Sequence, residues 1–109
     1  MVDNSIYRIS VEVQDYQEID LAGPPISVAA DREYRSDRFD LWYEHYDETG
    51  PALAGGLWRQ AVYVIGTGHP VPWTAWTRHA FGFLGTIITP TDLVWHIYTG
   101  PRHGQVIPV

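Results

Sequence analysis

The chain contains no cysteine and no lysine. Without cysteine there is no disulfide framework, the device by which small exported domains hold a thin core together, so an intracellular protein is expected. Thiol nucleophiles and thiolate metal sites are excluded with it. The basic residues are seven arginines against 13 acidic residues, for a formal net charge of −6. A phosphate-backbone binder needs clustered cations, and none are clustered here, so nucleic acid is not an expected partner. No apolar run approaches the roughly 20 residues of a membrane-spanning helix. Residues 1–5 carry neither the basic nor the apolar segment of an export signal, and no membrane contact is expected.

A sustained 3.6-residue period is also missing; what is present is a period of two. Tyr7, Ile9, Val11 and Val13 alternate with Arg8, Ser10, Glu12 and Gln14, as in a strand with one buried and one wet face. A turn at Asp15-Tyr16 and a second strand with Ile19 and Leu21 inward suggest an N-terminal hairpin. Gly23-Pro24-Pro25 breaks the pattern, and Ile26, Val28 and Ala30 open a third strand. Residues 31–38 alternate in charge and read as a solvated hairpin tip. Phe39, Leu41 and Tyr43 then face one way, Trp42 and Tyr46 the other. Residues 47–57 form a turn-rich connection, and Trp58 to Ile65 is the most β-branched strand. Phe81 to Ile88 holds Gly82 and Gly85, which predicts a bend or bulge. Thr89-Pro90-Thr91-Asp92 turns into a last strand, Leu93 to Tyr98. At 109 residues, with 45% hydrophobic and 14% aromatic side chains, this is one all-β domain spanning 1–109. About seven short antiparallel strands suggest a β-sandwich or a partly open β-barrel. At most one short helical turn is expected, near 73–79, and residues 99–109 read as a peripheral tail.

No motif supplies a catalytic set. Gly66-Thr67-Gly68-His69-Pro70 superficially suggests a phosphate loop, but Pro70 and Pro72 block the helix that such a loop must open. It reads as a structural turn in which Gly66, Gly68, His69 and Pro70 set the backbone. His45, His69, His79, His96 and His103 show no ligand spacing, so no metal site is expected. His96 reads as a packed or hydrogen-bonded side chain. Ser5, Ser10, Ser27 and Ser36 lie in no nucleophile-elbow context. Asp31, Glu33, Asp37, Asp40, Glu44, Asp47 and Glu48 interleave with Arg32, Arg35 and Arg38, as on a solvated charged face. No enzyme activity and no cofactor are expected. Trp73 and Trp76 carry more information, in a polar, proline-bearing segment beside Arg78 and His79. Trp and Arg concentrate interface energy, so Trp73, Trp76, Arg78 and His79 are the candidate partner-binding residues. The competing reading is that both indoles fold back and plug one end of the barrel.

Several blocks also carry a likeness: Ile6-Tyr7, Ile19-Asp20-Leu21, Ile26-Ser27-Val28, Leu41-Trp42, Tyr63-Val64-Ile65-Gly66-Thr67-Gly68-His69-Pro70, Phe83-Leu84-Gly85-Thr86 and Leu93-Val94-Trp95-His96-Ile97-Tyr98. Over residues 6–98 the chain resembles a family of small uncharacterised proteins encoded by tailed bacteriophages and prophages. That family brings no assigned activity, so it implies no catalytic residue. It implies a shared turn at 66–70, with His69 pinned to the final strand. Residues 31–38 and 71–81 look longer than in the family.

The expected function is a small phage-encoded binding protein that acts without catalysis on a host or phage protein in the host cytoplasm. The alternatives are a decoration or tail-associated component of the virion, and a protein that sequesters a nucleotide. A homo-oligomer is plausible through exposed edge strands.

Overall fold

Alternating strands bury their apolar rows only by packing two sheets face to face, and this is the architecture of the chain. The computed structural model describes residues 4–46 and 57–102. It contains strands β1 (Ser5–Glu12), β2 (Tyr16–Leu21), β3 (Pro25–Ala30), β4 (Arg38–His45), β5 (Trp58–Gly66), β6 (Gly82–Ile88) and β7 (Val94–Arg102), with a 3-10 turn at Arg78–Ala80. A three-stranded sheet runs β1-β4-β3 and a four-stranded sheet β2-β5-β7-β6, all pairs antiparallel. The sheets are open, so the fold is a sandwich and not a closed barrel. The candidate segments 47–56 and 103–109, His103 included, lie outside the described residues.

The core lies between the sheets. Val11, Phe39, Leu41 and Tyr43 come from the three-stranded sheet, and Leu21, Val62, Val64, Ile87 and Ile97 from the other. Each such side chain contributes about 1.5–3 kcal/mol by leaving water. β3 and β6 lie side by side at one border, where a Cβ on Gly85 would meet Val28 Cγ2 at 3.0 Å. The register of β6 against β7 shifts between Phe83 and Gly85, which is the expected bulge.

Two expectations are corrected by the topology. β1 and β2 do not form a hairpin: β1 pairs with β4, and β2 pairs with β5. The chain changes sheet at 13–15, where the Val13 amide donates to Asp37 O (2.8 Å) and the Val64 amide donates to Asp15 O (3.1 Å). Periodicity tells which face is wet but not which sheet a strand joins. The last strand also runs four residues past Tyr98, to Arg102. Gly100 is needed there, because a Cβ would meet Tyr63 Cε2 at 2.6 Å. Pro101 is tolerated because β6 begins at Gly82, opposite Thr99; beyond Thr99, among the described residues, no strand lies on that side of β7 to receive an N–H.

The hairpin tip between β3 and β4 is mostly exposed, as its charges suggest, with Asp31 the exception at 2% exposed. Asp31 accepts from the Glu33 and Arg35 amides (3.0 and 3.1 Å) and from the Arg35 guanidinium through both carboxylate oxygens (3.0 and 3.1 Å). The Arg35 hydrogen bond, aided by the two amides, holds the carboxyl at about 2, against an ordinary 3.8. Local pairing consumes the charge that the sequence displays.

Candidate functional site

The outward face of the four-stranded sheet carries the most unusual chemistry. Tyr16 on β2 is opposite Tyr63 on β5, Tyr63 is opposite Tyr98 on β7, and Tyr98 is opposite Phe83 on β6. One row of aromatic rings thus crosses every strand of the sheet. Centroids are 5.0 Å apart for Tyr16–Tyr63 and 5.1 Å for Tyr98–Phe83. Cross-strand pairs of this kind stabilise a sheet by up to about 1 kcal/mol each.

The segment 71–81 folds over this row. Trp73 is half-buried, with its ring 4.7 Å from Tyr98 and 5.1 Å from Phe81. Phe81 in turn lies 5.5 Å from Tyr63. The Arg78 guanidinium sits 5.0 Å from the Trp73 ring centre and 5.5 Å from that of Tyr98, and donates to Phe81 O at 2.7 Å. Between these anchors the backbone is fixed locally. The Thr74 amide donates to Thr77 Oγ1 (3.0 Å), the Thr77 amide to Thr74 O (3.2 Å), and the Ala80 amide to Thr77 O (3.0 Å).

The four candidate contact residues therefore divide. Trp73 and Arg78 stack on each other and hold the segment to the sheet. Trp76 is 76% exposed, and His79 is exposed as well. Trp73 covers the outside of a sheet and plugs no barrel end. Tyr63, Tyr98 and Phe83 are the residues that the linear reading missed as a group. Their signal is the outward position of a period-two strand occupied by aromatics in β5, β7 and β6, and it becomes visible only once the strand order is known.

The turn at 66–70 is structural. The His69 amide donates to Gly66 O at 3.0 Å and Gly68 takes φ +85°, a value that favours glycine. At Gly66 a Cβ would meet His69 Nδ1 at 2.8 Å and Trp95 Cζ3 at 3.3 Å, so a side chain there would displace the His69 ring. His69 rests on its own turn and is exposed, as is Pro70. The tie to β7 is made by Thr67, whose Oγ1 is 2.8 Å from His96 Nε2, while Thr86 Oγ1 on β6 is 2.9 Å from His96 Nδ1. In either neutral tautomer one threonine accepts and the other donates, so both ring nitrogens of His96 are engaged.

Beside this turn, the 69–72 segment and the start of β2 border an open groove of about 450 Å³, lined by Asp15, Tyr16, Tyr63, Ile65, His69 and Pro72 among others. Tyr16 is 49% exposed there. Its phenol pKa is raised, first by desolvation and then by the hydrogen bond to Glu18. Among the described residues, no three His, Asp or Glu side chains converge as metal ligands, and no helix is long and apolar enough to cross a membrane.

The class defined by this geometry is a small two-sheet antiparallel sandwich with one face covered by its own aromatic segment. The chain belongs to the domain of unknown function family DUF7352, whose model matches residues 2–107. No curated protein and no solved structure matches it.

Proposed function

We propose that the domain is a binding protein that acts without catalysis on a protein partner, through the outer surface of residues 71–81. The observation that carries this reading is Trp76, a large indole 76% exposed on a segment whose ends are fixed by Trp73, Arg78 and the Thr74–Thr77 hydrogen bonds. An apolar anchor on a pre-ordered segment loses little conformational entropy on association. His79 lies on the same exposed stretch. The likeness of the 63–70 and 93–98 blocks to phage and prophage proteins supports a role in an infected bacterial cell.

A tagged pull-down from host lysate tests the reading. The expected result is a protein captured by the wild type and lost by Trp76→Ala, with the variant's fold verified by circular dichroism. If a folded Trp76→Ala chain retains every partner, the surface is wrong. If neither protein captures anything and the chain is found in purified particles, the protein is a virion component instead.

A further inference from the structure

The groove beside the 66–70 turn is independent of Trp76 and has a distinct chemistry. Its floor is the Tyr16–Tyr63 pair, with rings tilted by 41° and 5.0 Å apart. One wall is Pro70-Val71-Pro72, and Asp15 stands at the rim. The backbone carbonyl of Asp15 is held by the Val64 amide at 3.1 Å, so the main chain that carries the carboxylate is anchored to β5. Among the described residues it forms no ion pair. A second carboxylate, Glu18, accepts a hydrogen bond from the Tyr16 hydroxyl and pairs with Arg59 at 3.2 Å. The chain as a whole carries a formal charge of −6.

Exposed phenol faces attract cations through their quadrupole, Arg more than Lys because its flat guanidinium also stacks. A carboxylate at the rim fits the same group bidentately. An aromatic lining suits an extended chain, since aromatic-lined peptide grooves take polyproline-type segments. From these observations we infer that the groove binds an arginine side chain on an extended, proline-containing segment of a partner protein, with the guanidinium on Tyr16 and its head at Asp15. This goes beyond the reading of Trp76 and does not depend on it.

The test uses the full chain and two synthetic peptides, acetyl-Pro-Arg-Pro-Pro-Arg-Pro-amide and the same peptide with citrulline for arginine. Citrulline keeps the shape and loses the charge. Binding is followed by amide chemical shifts up to about 1 mM peptide, the weak end of specific recognition. The expected result is saturable shifts confined to Asp15, Tyr16, Tyr63, Ile65, His69 and Val71, with the citrulline peptide at least about fivefold weaker. Asp15→Asn, an exposed change that spares the fold, weakens the arginine peptide several-fold. Tyr16→Phe keeps binding and Tyr16→Ala loses it. Trp76→Ala leaves binding unchanged, so failure here and failure of the 71–81 surface are separate results. Equal binding of both peptides, shifts centred elsewhere, or no shifts at about 1 mM would overturn the assignment.

Discussion

The two outer faces of the sandwich solve the same problem in opposite ways. On the outer face of the three-stranded sheet, charged side chains pair with one another and pack on Trp42. Arg8 lies 3.7 Å from Asp40 and 5.6 Å from the centre of the Trp42 ring. Arg38 donates to Ser10 Oγ at 2.6 Å and reaches Glu12 at 3.6 Å. The four-stranded sheet puts a row of aromatic rings outward and covers the middle two, Tyr63 and Tyr98, with Phe81 and Trp73 from a connection that is not itself a strand. The first arrangement holds its side chains by ion pairs within one sheet. The second holds a connecting segment at a few anchors, Trp73 and Arg78 among them, and leaves Trp76 exposed between them.

Substitutions can break this contrast in graded steps. The largest effect is expected at the anchor. Trp73→Ala strips the ring contacts to Tyr98 and Phe81 and the seat of Arg78, costing about 2–4 kcal/mol in urea unfolding. It should also raise hydrogen exchange through 74–81. If its cost is no greater than that of an exposed residue, the covered-face account fails. Arg8→Ala on the three-stranded sheet leaves Asp40, nearly buried, without the Arg8 cation, and is expected to cost about 1–2 kcal/mol by the same measurement. A cost above that of Trp73→Ala would reverse the ranking of the two faces.

Acid sharpens the contrast differently. The folded Asp31 carboxyl titrates at about 2 against an ordinary 3.8, so the stability it supplies is complete above the higher value and is lost as pH falls toward the lower. An acid-unfolding profile of Asp31→Asn should lack that part of the slope between those two values and match the wild-type slope above them. The smallest effect is expected at Trp76→Ala, within about 0.5 kcal/mol of wild type. A larger loss would mean that the indole is structural and not presented.

Much of this architecture was legible in the sequence, and the part that was not has a common cause. Period-two alternation put Phe39, Leu41 and Tyr43 on one face, which is the core face, and the Gly82/Gly85 pair announced the bulge; Tyr46, read as sharing the Trp42 face, instead packs against the core because it lies past the end of β4. His96 read correctly as a hydrogen-bonded side chain. Pairing was not legible, because alternation encodes a face and carries no information about neighbours; the expected β1–β2 hairpin failed there. The same gap hid the Tyr16–Tyr63–Tyr98–Phe83 row, whose members are scattered in the chain and meet only through register. Gly100-Pro101 looked like the end of structure because breakers signal turns locally, and only the early start of β6 shows why they fit. At the candidate surface, Trp73 and Trp76 look equivalent in sequence. Arg78 and the sheet beneath distinguish them.

The change of sheet at 13–15 has a consequence for how the chain is made. β3–β4 and β6–β7 are local hairpins, but β1 needs β4, and β2 needs β5, with Tyr16 meeting Tyr63. During synthesis the first two strands therefore leave the ribosome long before their partners exist, an interval on the order of seconds at ordinary elongation rates. Distant pairings of this kind close late because their loops must be ordered first. Of the two, β2 waits the longer, because β5 lies farther along the chain than β4, and its apolar residues Ile19 and Leu21 stay unpaired for that interval.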